Sequence, residues 1–316
     1  MSEPIVRPDV RLFLDYLNAL PGPRTHEVGP NEARLMMVAS RHVADAPVGE
    51  LAVIRDLSCP GPGGEIGLRL YDARESREAG PLFLFFHGGG FVLGDLDTHE
   101  PFCAEMARQL DLPVVAVDYR LAPEHPWPAG AEDCIAAARW VATSPEALGR
   151  EVTGLVLAGD SAGGNFTIVV SLALRDEPAA VPVLVQWPIY PAADPARGYP
   201  SYEDFGTGYL LTHDSMRWFD TCYCPDGQDW RYSPLLKSQE GMPPTLVVTA
   251  GLDPIRDQGR AYAAATIQAG VPTIFHEAKG NIHGFINLRK VIPSSAGDIG
   301  TCVAALKLLL AEAQSG

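Results

Sequence analysis

Six consecutive residues, Gly159-Asp160-Ser161-Ala162-Gly163-Gly164, carry the clearest chemical signature in this chain. They lie between the apolar run Leu155 to Ala158 and a helix-like stretch from Phe166 to Leu174. A serine with glycine two positions to either side fits a tight strand-to-helix turn, where a Cβ has no room and a strained backbone holds the serine Oγ clear of the main chain. Ser161 is therefore a candidate nucleophile, and the chemistry is hydrolysis through a covalent intermediate. A serine hydroxyl is a weak nucleophile near neutral pH. It needs a base within hydrogen-bond reach and a carboxylate to orient that base, in the chain order Ser, Asp or Glu, His behind a turn of this kind.

Of the eight histidines, only His213, His276 and His283 follow Ser161. His213 lies in the long insertion read below as part of a cap, and His276 stands at the end of a short expected strand, Thr273 to Phe275. His283, in Gly280-Asn281-Ile282-His283-Gly284-Phe285, sits on a glycine-flanked loop just past that last strand and is the candidate base. Asp253, in Gly251-Leu252-Asp253-Pro254, follows the preceding strand and is the candidate carboxylate; Asp257 competes with it but reads better as a residue capping or lining the helix that starts there. Acyl transfer also needs donors for the oxyanion formed on the attacked carbonyl. His87-Gly88-Gly89-Gly90 follows the run Leu82 to Phe86, and the N–H groups of Gly88 and Gly89, with that of Ala162 at a helix N-terminus, are the candidate hole. A dinucleotide loop is the other use of such glycines, but the G-x-G-x-x-G spacing is absent here. His87 reads as a hydrogen-bonded orienting residue, not as the base.

The elements around these residues follow from hydrophobic period. Apolar residues at helical spacing mark two helices, Asp9 to Leu20 and Asn31 to Val43, separated by Pro21-Gly22-Pro23. Leu51-Val53 and Ile66-Leu68-Leu70 alternate, as in a pair of antiparallel strands at a sheet edge. Thereafter the runs Leu82 to Phe86, Val114 to Val117, Leu155 to Ala158, Val183 to Trp187, Leu246 to Ala250 and Thr273 to Phe275 alternate with helical stretches. Strands this apolar are buried on both faces, which predicts an α/β fold with a mostly parallel, doubly wound sheet flanked by helices. The stretch from Tyr190 to Pro243 is too long for an ordinary connection and holds one expected helix, Thr212 to Tyr223. It is read as half of a helical cap over the carboxyl ends of the strands, with the N-terminal helices as the other half. The division expected is residues 1–48 as N-terminal cap helices, 49–189 and 244–316 as catalytic domain, and 190–243 as cap insertion.

Composition narrows the partners. With 24 basic against 39 acidic residues the formal net charge is −15, and no Lys/Arg cluster offers a face for nucleic acid or an anionic membrane. No stretch has the length of a bilayer span and the first residues lack a signal-peptide pattern, so a cytoplasmic location is expected. The six cysteines show no disulfide-framework or zinc-finger spacing; Cys222-x-Cys224 is the only close pair, read as reduced thiols. No metal and no organic cofactor is expected.

Five ordered motifs now resemble the hormone-sensitive lipase family of esterases, the bacterial family IV type with a Gly-Asp-Ser-Ala-Gly elbow, within the α/β-hydrolase superfamily. They are His87-Gly88-Gly89-Gly90-Phe91-Val92, Asp118 through Pro126 (Asp-Tyr-Arg-Leu-Ala-Pro-Glu-His-Pro), Gly159 through Gly164, Asp253-Pro254-Ile255-Arg256-Asp257 and Ile282-His283-Gly284-Phe285. The resemblance covers nearly everything from Leu82 to Phe285. It implies an α/β-hydrolase fold with a helical cap, a triad of Ser161, Asp253 and His283, and an oxyanion hole of Gly88, Gly89 and Ala162. Within the second motif, Arg120 and Glu124 are read as fixing a loop by ion pairing. The chain departs from similar enzymes at Asn281, where an apolar residue is frequent, and a polar side chain two positions before the base bears on acyl preference. The expected activity is a carboxylesterase acting on short- to medium-chain esters; amide deacylation or lactone opening would use the same groups, and a ligand receptor on a hydrolase shell is the reading from another class. A homodimer formed through the exposed edge of Thr273 to Phe275 is expected to be compatible with such a chain.

Overall fold

The computed structural model describes residues 4–315. Eight strands form one sheet in the order β1-β2-β4-β3-β5-β6-β7-β8: β1 Val53–Gly61, β2 Gly64–Asp72, β3 Gly80–Phe86, β4 Val114–Asp118, β5 Val152–Asp160, β6 Val183–Ile189, β7 Thr245–Leu252 and β8 Thr273–Ile282. The alternating pair β1 and β2 is antiparallel and lies at one edge; β2 meets β4 antiparallel, and every pairing from β4 through β8 is parallel. This is the mostly parallel sheet that continuous apolar runs require, because their residues are buried alternately on the two faces.

Strand period divides the core into layers. Leu82, Leu84 and Phe86 of β3, with Leu155 and Leu157 of β5, pack under α4 (Ala129–Ala142) and α5 (Ala162–Asp176). Phe83 and Phe85, with Val156 and Ala158, face α3 (Glu100–Leu110) and α9 (Ser295–Ser315) on the other side. α8 (Arg256–Gln268) joins the first face through Tyr262 and Ala263, which pack with Ile168, Leu172 and Val247. All five residues Leu82 to Phe86 are fully buried, so this run of β3 has no solvent face.

Two N-terminal helices, α1 (Pro8–Ala19) and α2 (Pro30–Ala44), fall where helical spacing predicted them. Val10 and Leu14 of α1 pack with Leu252 and Ile282 at the ends of β7 and β8, and with Phe205 of α6 (Pro200–Phe205). The predicted helix in the long insertion is α7 (His213–Tyr223), capped by Thr212, whose Oγ1 accepts the Ser215 N–H. The short α6 was not predicted from period; six residues are too few to display one. Tyr190, expected at the head of the insertion, belongs to the core instead: it is buried, and its N–H donates to the Val248 carbonyl at 2.6 Å. β8 runs through Ile282, well past Phe275. Its second half carries His276, Glu277 and Lys279 on an edge strand, so no apolar run marks it.

Candidate active site

Strand register brings the chemistry together. Asp160 pairs with Ile189, Phe86 with Gly159, and Leu252 with Ile282. Ser161, His87, Asp253 and His283 are each the first residue beyond one of those strand ends, so they gather at one edge of the sheet. This is the carboxyl edge of a parallel sheet, where crevices form.

Ser161 has φ 56° and ψ −115°, outside the regions open to most side chains, a strain on the order of 1–3 kcal/mol. Its N–H donates to the Ile189 carbonyl at 2.9 Å, and its own carbonyl accepts from Asn165 at 3.0 Å, which pins the turn from both sides. The flanking glycines are sterically required. A Cβ on Gly163 would lie 1.9 Å from the Phe86 carbonyl oxygen, and one on Gly159 would lie 2.3 Å from the Gly163 oxygen. The strand end, the turn and the helix start therefore touch backbone to backbone.

His283 Nε2 lies 2.8 Å from Ser161 Oγ, and His283 Nδ1 lies 2.7 Å from Asp253 Oδ2. The other Asp253 oxygen accepts the Ile255 N–H at 2.9 Å, so this fully buried carboxylate is held at both ends. A carboxylate on Nδ1 requires the proton there and leaves Nε2 as an acceptor facing Ser161 Oγ. Tyr190 packs against the His283 ring at 4.6 Å between centroids and against Phe285 at 5.3 Å, limiting ring rotation.

The remaining candidates fall elsewhere. His213 begins α7 and donates from Nε2 to the Tyr202 carbonyl at 2.7 Å. His276 lies within β8, not at its end, and its Nε2 is 3.3 Å from Asp298 Oδ1. Asp257 is in the first turn of α8, accepting from the Ser201 N–H at 3.0 Å and from Arg256 at 2.8 Å, so it ties α8 to α6. Asn281 is buried and turned away from Ser161: its Nδ2 donates to Ser295 Oγ and Asp298 Oδ2, both at 3.1 Å. It therefore anchors α9 and does not set the polarity of the substrate cavities, contrary to the expectation from its position. Cys222 and Cys224 are at the C-terminal end of α7, and no group of His, Cys, Asp or Glu with the arrangement of a metal site occurs among the described residues.

The expected oxyanion donors need one correction. The Gly88 N–H donates to Asp160 Oδ1 at 2.7 Å and is not free for a ligand. Gly88 must be glycine for this contact, since a Cβ there would lie 2.5 Å from Asp160 Oδ2. The N–H groups of Gly89, Gly90 and Ala162 have no partner among the described residues, so the open donors are shifted by one glycine. Burial alone would raise the pKa of Asp160, but the neighbouring His99 and His283 and the Gly88 N–H outweigh it and hold the carboxyl below its ordinary value. Tyr190 Oη also donates to Asp160 Oδ2, at 3.3 Å. Sequence reasoning missed this role of Asp160, although the residue stands inside the motif.

Behind the loop, burial pushes His87 down to about 4, with His99 adding to the shift, so the ring is neutral near neutral pH. Tyr119 stacks on that ring at 4.2 Å, and its hydroxyl donates to the His87 carbonyl at 2.6 Å. The second motif is thereby explained as a support. Arg120 makes a two-pronged pair with Asp133 at 2.8 Å on each prong, and Glu124 pairs with Arg34 of α2 at 2.6 Å. Arg34 also donates to the carbonyls of Val92 and Ala122, both at 2.9 Å, which links α2 to the glycine loop.

Two cavities open on Ser161. One, about 290 Å³, is lined by Ala162, Phe91, Ala192, Met216, Tyr232 and Ile255 among others. The second, about 470 Å³, is lined by His283, Gly284, Leu288 and the N-terminal residues Leu17, Met36 and Met37 among others. Gly90, Ser161, Leu211 and Phe219 border both. Phe219 of α7 rests directly on the glycine loop, where a Cβ on Gly90 would lie 2.4 Å from its ring. No helix among the described residues is long and apolar enough to cross a membrane.

Comparison with known proteins agrees with this geometry. The chain is 42% identical over 264 residues, 80% of its own length and 70% of the relative's, to the carboxylic ester hydrolase LipN of Mycobacterium tuberculosis. It is 33% identical to the ethyl acetate hydrolase of Pseudomonas putida, over 96% of this chain and 98% of that one. Among solved structures, an ester hydrolase from the metagenome of Lake Arreo superposes with a TM-score of 0.91 at 36% identity, covering 96% of this chain and 99% of the other. The esterase of the archaeon Pyrobaculum calidifontis gives 0.89 at 34% identity, covering 97% and 99%. A family model described as the alpha/beta hydrolase fold matches residues 83–287, and with the sheet, the strained serine turn and these relatives it establishes that the chain belongs to the α/β-hydrolase family of carboxylic ester hydrolases.

Proposed function

We propose that the protein is a serine carboxylesterase that hydrolyses short- to medium-chain esters through an acyl-enzyme. The observation carrying this reading is the unbroken path Asp253–His283–Ser161, with both links at hydrogen-bond distance. In acylation, Ser161 Oγ attacks the ester carbonyl carbon while its proton passes to His283 Nε2, and Asp253 stabilises the imidazolium that forms. The negative charge on the carbonyl oxygen is met by the N–H groups of Gly89, Gly90 and Ala162, at the N-terminus of α5 where the helix dipole adds favourable potential. Collapse of the tetrahedral species breaks the bond to the leaving oxygen, which takes the proton from His283. A water then repeats the sequence on the acyl-enzyme, releasing the acid and restoring Ser161.

Proton delivery assigns the two cavities. The leaving oxygen must lie within reach of His283 Nε2, so the alcohol part occupies the cavity of about 470 Å³ that His283 borders. The acyl part then points to the opposite side, into the cavity of about 290 Å³ beside Ala162. On this reading the N-terminal helices and the 190–243 insertion act together as a cap, the former bordering the alcohol side and the latter most of the acyl side. The exposed edge of β8 fits pairing with a second copy in a homodimer, which sedimentation would test. The enzyme is read as cytoplasmic, which cell fractionation would test.

Ser161→Ala tests the assignment. Turnover of p-nitrophenyl butanoate should fall by roughly 10⁴-fold or more, and a fluorophosphonate probe should no longer label the protein. Retained turnover would end this reading.

A further inference from the structure

Among the described residues, one carboxylate lines the acyl cavity, and the mechanism does not use it. Asp220, on α7 immediately after Phe219, lines the same cavity as Ser161 Oγ. Its Oδ1 accepts the Tyr232 hydroxyl at 2.7 Å, and its side chain forms no ion pair with any described residue. Asp220 is exposed as a residue, but Tyr232 is buried and packs on Tyr223, so one carboxylate oxygen is held by a fixed donor. Desolvation of its carboxyl at the cavity wall raises Asp220 above its ordinary value, against the pull of the Tyr232 hydrogen bond. Gln258 lines the same cavity; its Oε1 accepts the Asp194 N–H at 3.1 Å, which leaves its amide NH₂ as a donor with no partner among the described residues.

A purely hydrocarbon acyl chain seated there would displace water from the second Asp220 oxygen and from the Gln258 amide without offering either a hydrogen bond, which is costly. The rest of the lining decides the type of donor. Arg197 and Arg217 border the cavity too, and Arg217 is paired with Asp214 at 2.7 Å. An ammonium group would meet these guanidinium groups on entry, and a carboxylate would meet Asp220. A neutral group that donates and accepts, a hydroxyl, is opposed by neither.

We propose that Asp220 makes this enzyme select esters of hydroxylated carboxylic acids, by accepting a hydrogen bond from a hydroxyl on the acyl chain. The proposal rests on the esterase reading and on the placement of the acyl part beside Ala162. It makes Asp220 a specificity residue that touches the acyl part of the substrate and not the reacting bond.

The test is pH-stat hydrolysis by the full-length protein of ethyl hexanoate and of its 2-hydroxy, 3-hydroxy and 6-hydroxy derivatives, repeated with Asp220→Ala and Asp220→Asn. The ratio of kcat/KM, hydroxylated over plain, should exceed one for at least one isomer in the parent protein. Asp220→Ala should lower that ratio roughly tenfold or more, the size of a lost hydrogen bond to a charged group, and Asp220→Asn, which keeps an acceptor, should retain part of it. Fluorophosphonate titration counts the folded sites in each variant, so the ratio is read on intact enzyme. A parent protein that prefers the plain ester to every isomer, or a ratio that Asp220→Ala leaves unchanged, overturns the proposal while the esterase reading stands. A titratable parent protein that turns over none of the four esters overturns the esterase reading itself.

Discussion

Replacing Asp160 by alanine should separate the support of the oxyanion loop from the triad. Asp160 Oδ1 is the acceptor for the Gly88 N–H at 2.7 Å, and both residues are buried. Removing the carboxylate orphans that donor and the Tyr190 hydroxyl at 3.3 Å. An orphaned buried donor costs about 1–3 kcal/mol, and here the lost acceptor is charged, which favours the upper half of that range. If the loop keeps its shape, the cost appears as lost stability. If Gly88 turns to find another acceptor, Gly89 and Gly90 turn with it, and the cost appears in the transition state. At about 1.4 kcal/mol per decade, the upper half of that range is roughly a 30-fold to 140-fold fall in kcat. Urea unfolding measures the first component, and kcat for p-nitrophenyl butanoate per fluorophosphonate-titrated Ser161 measures the second. Their sum should fall in the stated range, and Asp160→Asn, which keeps a carbonyl acceptor of the same shape, should lose less. Wild-type kcat together with wild-type stability in Asp160→Ala would refute the claim that this contact holds the loop.

Two further outcomes follow from the same geometry. Asp253→Asn can leave the packing around His283 intact but presents an amide donor or a neutral acceptor to Nδ1, so kcat should fall by roughly 10⁴-fold with little change in KM; a loss below tenfold in steady-state assays would mean that Asp253 does not orient the base. Asp298 is held at about 2, burial opposing and hydrogen bonds from His276, Arg7 and Asn281 prevailing, against an ordinary 3.8. Because the folded value is depressed, its contribution is present above about pH 4 and is lost as pH falls through 2: about 2 kcal/mol at pH 6 and roughly half of that at pH 3. The stability difference between the parent protein and Asp298→Asn, from urea unfolding, should shrink accordingly, and a difference independent of pH would contradict the assignment.

What could be read from the sequence, and what could not, follows from the range of the interactions. The strand runs were legible because burial on both faces forces every residue of Leu82 to Phe86 to be apolar, a local and unambiguous mark. The serine turn was legible because its steric demand acts at fixed offsets: Gly159 and Gly163 meet each other's backbone and that of Phe86. The second half of β8 was not, because an edge strand satisfies half its ladder and leaves Glu277 free to pair with Arg260 at 2.7 Å in place of apolar burial. Asn281 misled for a related reason. Its spacing from His283 is local, but its direction is set by Ser295 and Asp298 on α9, fourteen and seventeen positions away. The oxyanion loop is the most instructive case. Three successive glycines announce that backbone approaches something closely, yet the purpose differs at each position. Gly88 makes room for the Asp160 carboxylate, Gly89 takes φ +126° with Leu93 behind it, and Gly90 makes room for the Phe219 ring. Only the first of these contacts consumes an N–H, and it is made by a residue 72 positions later in the chain. A pattern of glycines can thus announce an anion site without stating which amides face the anion. That choice is made by the acid next to the nucleophile, so the two motifs are parts of one device, and substitutions at Asp160 and at the glycine loop should be non-additive.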